Sequence, residues 1–206
     1  MTDVRFNKIL IWLNGLIPLG LLGFDAVRGQ LGANPVEFFL RTTGVLTLTF
    51  LLVTLSITPL RKLSGMNQLI KYRRLLGLFA FFYGIVHLST YFVFDRGASV
   101  LSAFDDVLQR RFILFGMTAL LLMVPLAVTS TNGMIKRLGG KRWQRLHQLI
   151  YISGILGVVH FWMIVKSDVF YPLIFAGVVA LLLGYRLVNR LRSNAPIANK
   201  QAAAKS

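Results

Sequence analysis

The chain has 206 residues, of which 55% are hydrophobic and 15% charged, and its formal net charge is +16. A water-soluble domain has about 25% charged residues, and a nucleic-acid-binding domain of this charge would be far less apolar. The 16 phenylalanines and the long aliphatic runs exclude a disordered chain. With no cysteine in the sequence, disulfides, thiolate metal sites, iron–sulfur clusters and cysteine nucleophiles are excluded. A chain both this apolar and this basic is typical of a multi-pass membrane protein.

Six stretches are long and apolar enough to cross a bilayer, which takes about 20 helical residues. The first follows Arg5 and Lys8 as a signal peptide would, but no small-residue cleavage site follows it, so we expect an uncleaved helix. We predict an all-α integral membrane protein, a six-transmembrane-helix bundle with one domain over 1–190 and a disordered cytoplasmic tail over 191–206. The stretches cover, in chain order, residues 9–26, 43–59, 75–94, 112–130, 149–165 and 170–188.

The basic residues are distributed asymmetrically between the two ends of this bundle. Of the 23 lysines and arginines, 17 lie at the N-terminus, in the second and fourth loops, and at or after the end of the sixth stretch. Six of the seven acidic residues lie on the opposite side, where they balance the remaining six basic residues. The positive-inside rule therefore predicts that both termini are cytoplasmic. Topogenesis and contact with anionic lipid explain the surplus, while a cationic face for an anionic flavin, nucleotide or quinone-reducing partner is the alternative.

Only three histidines occur, and two of them, His87 and His160, lie inside predicted spans. An ionisable side chain within a span is by default a functional candidate. At a rise of about 1.5 Å per residue, His87 lies roughly 18 Å and His160 roughly 20 Å from the cytoplasmic start of its helix. Two histidines at one depth, on helices that run the same way, match the axial ligands of a bis-histidine haem.

Each of these histidines has a glycine three residues earlier, Gly84 and Gly157. That spacing places the glycine on nearly the same helix face as the histidine. The missing side chains leave space for a flat macrocycle, or they serve as small-residue contacts between membrane helices.

Two other interpretations of the buried histidines stay open. They could form a proton relay, or they could make hydrogen bonds across helices to Ser89, Thr90 or Ser153. A proton pathway would usually recruit intramembrane carboxylates, and every acidic residue here falls in a loop or at the end of a span. The same observation argues against acid–base hydrolysis and metalloprotease chemistry.

The third histidine, His147, falls at the cytoplasmic edge of the fifth span, after a basic segment. It is either a solvated interfacial side chain or a ligand to a second, inner redox centre.

The arrangement of His87 on the third span, His160 on the fifth, and residues 142–147 (RWQRLH) before it resembles the ferric reductase-like transmembrane domain family. That family includes NADPH oxidases and metalloreductases. Within it, the chain resembles the haem-binding membrane subunits of bacterial periplasmic methionine-sulfoxide reductase systems. Segments 32–37, 58–61, 73–77 and 129–132 are similar as well, so the similarity covers nearly the whole chain except its termini.

The resemblance implies a multi-pass electron-transfer subunit of the bacterial inner membrane rather than a complete enzyme. It implies haem b and FMN as cofactors, with His87 and His160 as axial iron ligands and His147 as a candidate further ligand. The implied donor is the quinone pool or a cytosolic flavin reductase, and the implied acceptor is a periplasmic molybdopterin reductase that repairs oxidised methionines. Membrane lipid and these proteins are the expected partners, with no nucleic acid. Five basic residues are weaker candidates for contacting flavin, quinone or a haem propionate: Arg73, Arg74, Lys141, Arg142 and Arg145.

One departure from the NADPH-oxidase pattern concerns the third span. Those proteins carry two histidines there, whereas the position 14 residues before His87 is Arg73 in this chain. An inner haem would therefore lack one of its expected ligands. Two further hypotheses are a haem-free membrane transporter or scaffold, and a ferric reductase with no periplasmic partner.

Overall fold

The computed structural model describes residues 4–165 and 168–194, and within them it contains helices and no strands. Six helical segments are long and apolar enough to cross a membrane, as predicted. Four of these are continuous helices, the third ends in a π-helix, and the fifth is preceded by a short helix. The α-helices are α1 (Val4–Val27), α2 (Pro35–Ser64), α3 (Arg73–Thr90), α4 (Val100–Gln109), α5 (Arg111–Val128), α6 (Asn132–Leu138), α7 (Gly140–Leu146), α8 (Leu149–Ile164) and α9 (Phe170–Asn194). A 3₁₀-helix (Asn67–Lys71) precedes α3, and a π-helix (Tyr91–Asp95) continues it.

The second spanning helix begins eight residues earlier than the apolar pattern indicates, at Pro35. Asn34 caps it, since its side-chain oxygen accepts a hydrogen bond of 3.2 Å from the backbone N–H of Glu37. Proline at the first helical position and a polar cap favour a start there. The added turns contain Glu37 and Arg41, whose charges interrupt the apolar pattern, so hydropathy alone does not assign these turns to the span.

The core of the bundle lies among α2, α3, α5, α8 and α9. Helix α2 packs most extensively against α3, and α5 against α8. Side chains of all five helices form one continuous buried cluster, which includes Leu51, Ala80, Met123, Val158 and Val179. The outward faces are lined by exposed aliphatic and aromatic side chains, as expected of a surface in contact with lipid.

The two ends of the bundle differ in their connecting segments. One end, called here the basic end, holds the 3₁₀-helix, α6 and α7. The other, called the neutral end, holds the π-helix and α4. Neither α4 nor the pair α6 and α7 follows from the search for spans, because each has at most 10 residues. The predicted tail begins inside the last helix, which extends through Asn194, and the rest of that tail lies outside the described residues.

An arginine fastens α9 to the core. One terminal nitrogen of Arg186 donates a hydrogen bond to the carbonyl of Leu55 on α2, and the other donates to that of Leu182. The guanidinium also lies 5.3 Å from the ring centre of Tyr151 on α8. A cation among apolar side chains needs such partners, because leaving its charge unsatisfied there is costly.

Helix α1 is mostly exposed and contacts both α2 and α3. The hydroxyl of Tyr83, which is fully buried, donates a 2.6 Å hydrogen bond to the carbonyl of Gly15. The Phe79 ring packs directly on the same glycine.

We expect Tyr83→Phe to destabilise the protein by about 1 kcal/mol, the usual net contribution of one such hydrogen bond. Thermal unfolding in detergent would show this as a lower midpoint. Tyr185→Phe is the matched control, because no hydrogen bond involves the Tyr185 hydroxyl among the described residues. Equal midpoints for the two variants would contradict the assigned role of the Tyr83 hydroxyl.

Candidate functional site

The structure brings the imidazole rings of His87 and His160 together. His87 belongs to α3 and His160 to α8, and their ring centres are 6.2 Å apart with the ring planes nearly perpendicular, at 87°. Two imidazoles that bind one metal ion from opposite sides, at about 2 Å each, have ring centres about 6 Å apart. The observed separation therefore suits two ligands on opposite sides of a single metal.

A backbone carbonyl fixes the orientation of each ring. Nδ1 of His87 lies 3.0 Å from the carbonyl oxygen of Leu40 on α2, and Nδ1 of His160 lies 2.6 Å from that of Phe112 on α5. Because a carbonyl only accepts, Nδ1 is the protonated nitrogen of each ring. Nε2 is then the unprotonated nitrogen, with a lone pair for a metal, which is the usual arrangement of ligating histidines.

Two glycines allow these rings to approach the neighbouring helices. A Cβ atom added to Gly116 on α5 would lie 2.7 Å from Nδ1 and Cε1 of His160. One added to Gly44 on α2 would lie 3.3 Å from the corresponding atoms of His87. His160 therefore lies in a space that only a glycine leaves open, whereas His87 is in tight contact with the backbone at Gly44.

The two glycines noted in the sequence, Gly84 and Gly157, face leucines rather than the rings. An added Cβ would lie 2.8 Å from Leu120 at Gly84 and 2.9 Å from Leu48 at Gly157. All four of these residues line the cavity described next. Both sequence interpretations therefore describe part of the arrangement, since the glycines are helix contacts and also cavity wall.

A cavity of about 600 Å³ opens between the two histidines. Its wall is made mostly of aliphatic and aromatic side chains of α2, α3, α5 and α8. Three buried side chains close its inner part, which we call the floor: Leu51, Met123 and Ser153. Charged and polar side chains surround its opening at the neutral end, which we call the rim: Glu37, Arg41, Asp95, Arg110, Asp168 and Tyr171.

A hydrogen-bonded group around Asp106 holds α4 against this rim. The buried Asp106 carboxylate accepts from the Tyr91 hydroxyl at 2.9 Å and pairs with Arg96 at 3.0 Å and Arg110 at 3.3 Å. Tyr91 begins the π-helix, a feature that is frequent at functional sites because it turns side chains out of the α-helical register. The group leaves Arg110 half-exposed at the cavity opening.

The donor set limits the kind of metal centre that could form. Among residues 4–165 and 168–194, no group of three or more His, Cys, Asp or Glu side chains could hold a metal ion. Two imidazoles supply only two ligands, whereas structural zinc takes four. A metal between His87 and His160 therefore needs its other ligands from a bound group, as haem provides.

His147 lies away from this cavity, at the basic end. Its Nε2 is 3.1 Å from the Thr129 hydroxyl, and its ring stacks on Trp143 with ring centres 3.8 Å apart. The Thr129 hydroxyl donates to the carbonyl of Pro125, so it accepts from Nε2–H of His147. The Trp143 indole N–H donates to the Thr129 carbonyl at 2.9 Å. In this arrangement Nε2 of His147 is already engaged.

None of the five basic candidates from the sequence lines the cavity. Arg74 donates to the Asn132 side chain at 2.8 Å, and Arg73 begins α3 close to Tyr151 and Arg186. The other three are exposed on α7: Lys141, Arg142 and Arg145.

Sequence reasoning missed the rim arginines and the two glycines against the rings. One feature of the sequence could have identified Arg41 and Arg110. Both lie at span ends on the neutral side of the bundle, which is the side closer to His87 and His160. No such feature marks Gly44 and Gly116, since their role depends on which helices pack together. One sequence hypothesis placed a hydrogen bond between a buried histidine and Ser153. This bond is absent, because the Ser153 hydroxyl has no hydrogen-bond partner among the described residues.

Comparison with known proteins identifies relatives along nearly the whole chain. The family described as "Ferric reductase like transmembrane component" matches residues 42–159, which include His87 and His147 and end one residue before His160. No solved structure matches.

Several bacterial relatives bear the name "Protein-methionine-sulfoxide reductase heme-binding subunit MsrQ". The one from Herminiimonas arsenicoxydans is 50% identical over 87% of this chain and 84% of its own length. Those from Ralstonia nicotianae and Rhodospirillum rubrum are 47% and 48% identical over 90% and 91% of this chain, and over 86% and 90% of their own lengths. The chain therefore belongs to the MsrQ family of methionine-sulfoxide reductase heme-binding subunits, within the ferric reductase-like transmembrane proteins.

Proposed function

We propose that this chain is the haem-binding membrane subunit of a methionine-sulfoxide reductase system and holds haem b between His87 and His160. The observation that carries the proposal is the pair of imidazoles, 6.2 Å apart, each with Nδ1 hydrogen-bonded to a carbonyl. The names of the relatives, which describe heme-binding subunits, support it. Bound here, haem supplies a one-electron iron couple.

The residues around the cavity fit the two chemically different parts of haem. His87 and His160 would hold the iron, and the apolar wall would exclude water from the porphyrin face. Arg41 and Arg110 at the rim are cations that would hold the two propionates. Arg41 pairs with Glu37 at 2.7 Å and keeps 70% of its side chain exposed, so it can turn toward a ligand.

We further propose that the chain lies in a bacterial inner membrane with both termini in the cytoplasm. The basic end would then face the donor, the quinone pool or a cytosolic flavin reductase. The neutral end, where the cavity opens, would face a periplasmic molybdopterin methionine-sulfoxide reductase. The charge asymmetry supports this orientation. The chain would be an electron-transfer subunit and the partner would carry the active site.

Three parts of the family resemblance stay predictions. These are FMN as a second cofactor, His147 as a ligand to a further centre, and contacts of the five basic candidates with an anionic group. Binding at His147 would have to use Nδ1 or displace the Thr129 hydroxyl from Nε2.

The orientation can be tested by thiol labelling, because the natural chain contains no cysteine. Gln109 at the neutral end and Gln144 at the basic end are both exposed. We expect a membrane-impermeant maleimide to label Gln109→Cys in intact spheroplasts, and to label Gln144→Cys only after lysis. The reverse pattern would place the cavity opening in the cytoplasm and contradict the proposed direction of electron flow.

Electron transfer is tested with the purified chain in lipid nanodiscs. The haem is first reduced under anaerobic conditions. Adding the periplasmic methionine-sulfoxide reductase from the same organism, together with methionine sulfoxide, should then oxidise the haem and remove its reduced b-type spectrum. Omission of either component should leave the spectrum reduced.

Two controls separate the remaining hypotheses. A ferric reductase with no periplasmic partner would be oxidised by chelated iron(III) and not by the methionine-sulfoxide reductase with its substrate. A transporter or scaffold would be a colourless, folded protein even from cells supplied with haem, and that result would contradict the proposed function.

A further inference from the structure

The floor of the cavity contains one polar side chain whose hydrogen-bonding capacity is unused. Ser153 on α8 is 1% exposed, and its hydroxyl oxygen is the one buried side-chain N or O atom without a hydrogen-bond partner in the described part of the chain. Buried polar groups are nearly always satisfied, so an unsatisfied one needs an explanation.

The buried threonine hydroxyls show how this serine could have been satisfied. Each of the four donates to the carbonyl four residues earlier: Thr43 to Phe39, Thr54 to Phe50, Thr90 to Val86 and Thr129 to Pro125. Such back-bonding is the common solution for hydroxyls within helices. Ser153 instead leaves its hydroxyl free at the wall of the cavity.

Ser153 lies on the same face of α8 as His160 and closer to the basic end. The two are seven residues apart, which is close to two helical turns and roughly 10 Å along the axis. The same spacing relates Met123 to Gly116 on α5 and Leu51 to Gly44 on α2. The floor is therefore one layer of side chains below the histidine layer, and Ser153 is its only polar member, beside Leu51 at 2% and Met123 at 4% exposure.

We propose that the Ser153 hydroxyl at the floor of the cavity is an orientable dipole that would lower the reduction potential of a haem iron bound there. The proposal rests on the proposed function, since it needs haem in the cavity. Ferric haem carries one more positive charge than ferrous haem. A hydroxyl free to rotate points its hydrogen away from that charge and leaves the negative oxygen facing it, and in a low-dielectric surrounding this stabilises the ferric form. Hydrogen bonding and polarity around haem are known determinants of its potential.

A lower potential has a directional consequence. The floor lies toward the basic end, where the proposed donor delivers the electron, and the opening lies toward the acceptor. Stabilising the ferric form makes the reduced iron a stronger electron donor. Ser153 would thus act on electron transfer by changing the reduction potential of the iron, without touching the iron itself.

The test is an anaerobic spectroelectrochemical titration of the haem-loaded protein in nanodiscs. At the wild-type midpoint, Ser153→Ala should raise the reduced-to-oxidised ratio from one to between about two and ten, where tenfold corresponds to 59 mV for one electron. Thr54→Val is the matched control, because it removes a buried hydroxyl that already donates to Phe50 and does not line the cavity. It should leave the midpoint unchanged.

Ser153→Cys provides a second variant of nearly the same volume, with a weaker S–H group in place of the hydroxyl. Its midpoint should lie between those of wild type and Ser153→Ala. Unchanged midpoints in both serine variants would overturn the inference while leaving haem binding intact. Loss of haem from both would also overturn it, since the hydroxyl would then hold the haem rather than tune it. A wild-type protein without haem would overturn the proposed function itself.

Discussion

Replacing His87 or His160 by alanine is expected to abolish the low-spin b-type spectrum of the purified protein. Each variant removes one of the two nitrogens whose rings lie 6.2 Å apart, and no third histidine, cysteine or carboxylate group forms a metal site with them in the described residues. A single remaining imidazole cannot supply both axial ligands. The double variant should contain no haem in this cavity.

The measurement is a reduced-minus-oxidised absorbance spectrum with haem quantified per protein. His147→Ala is the matched control, because its ring stacks on Trp143 at the basic end and does not line the cavity. It should retain the spectrum assigned to His87 and His160. A loss of part of the haem from His147→Ala would indicate a second site, without affecting the first.

Misfolding must be excluded for the alanine variants. Each histidine donates one hydrogen bond to a carbonyl of a neighbouring helix, so its loss costs about 1 kcal/mol of stability. That is a small change for a six-span protein, and gel filtration with thermal unfolding should give monodisperse, folded material. A folded His160→Ala protein with an unchanged low-spin spectrum would refute the assignment of the ligands.

The depth of the two histidines could be predicted from the sequence, and their pairing follows from it. Span positions depend on local composition, and the helical rise converts a residue number into a depth. The partners of the rings could not be predicted in this way. The carbonyls of Leu40 and Phe112 are backbone atoms without a sequence signature, and they meet the rings only because α2 packs on α3 and α5 on α8.

The neutral end departs most from the sequence expectation, and the reason is physical. Helix α4 has 10 residues and lies outside the spans, so neither length nor mean hydropathy distinguishes it from a loop. It is held by the Asp106 group, whose members are distributed over the π-helix, α4 and the start of α5. The rim thus depends on charge pairs between side chains of different elements, whereas the spans depend on local apolar runs.

Replacing Gly116 by alanine is expected to weaken haem binding nearly as much as altering a ligand. The added methyl carbon would lie 2.7 Å from Nδ1 and Cε1 of His160, closer than such contacts occur, so the ring or α5 must move. The ring has little freedom to move, because its Nδ1 lies 2.6 Å from the carbonyl of Phe112, which is one turn before Gly116 on α5. Changes to groups that orient a metal ligand typically reduce affinity by about 10–100-fold.

Alanine substitutions at three glycines should give a graded series of haem retention, which differences in protein stability alone would not produce. Gly44→Ala brings the methyl carbon to 3.3 Å from His87 and should weaken haem retention less than Gly116→Ala. Gly177→Ala on α9 has no atom within 4 Å of the new methyl and should bind haem as wild type does. All three changes favour the helix by up to about 1 kcal/mol, because alanine has the higher helix propensity. Haem transfer to apomyoglobin measures retention directly. If Gly116→Ala released haem no faster than Gly177→Ala, His160 could not bind iron in the orientation that the Phe112 carbonyl imposes.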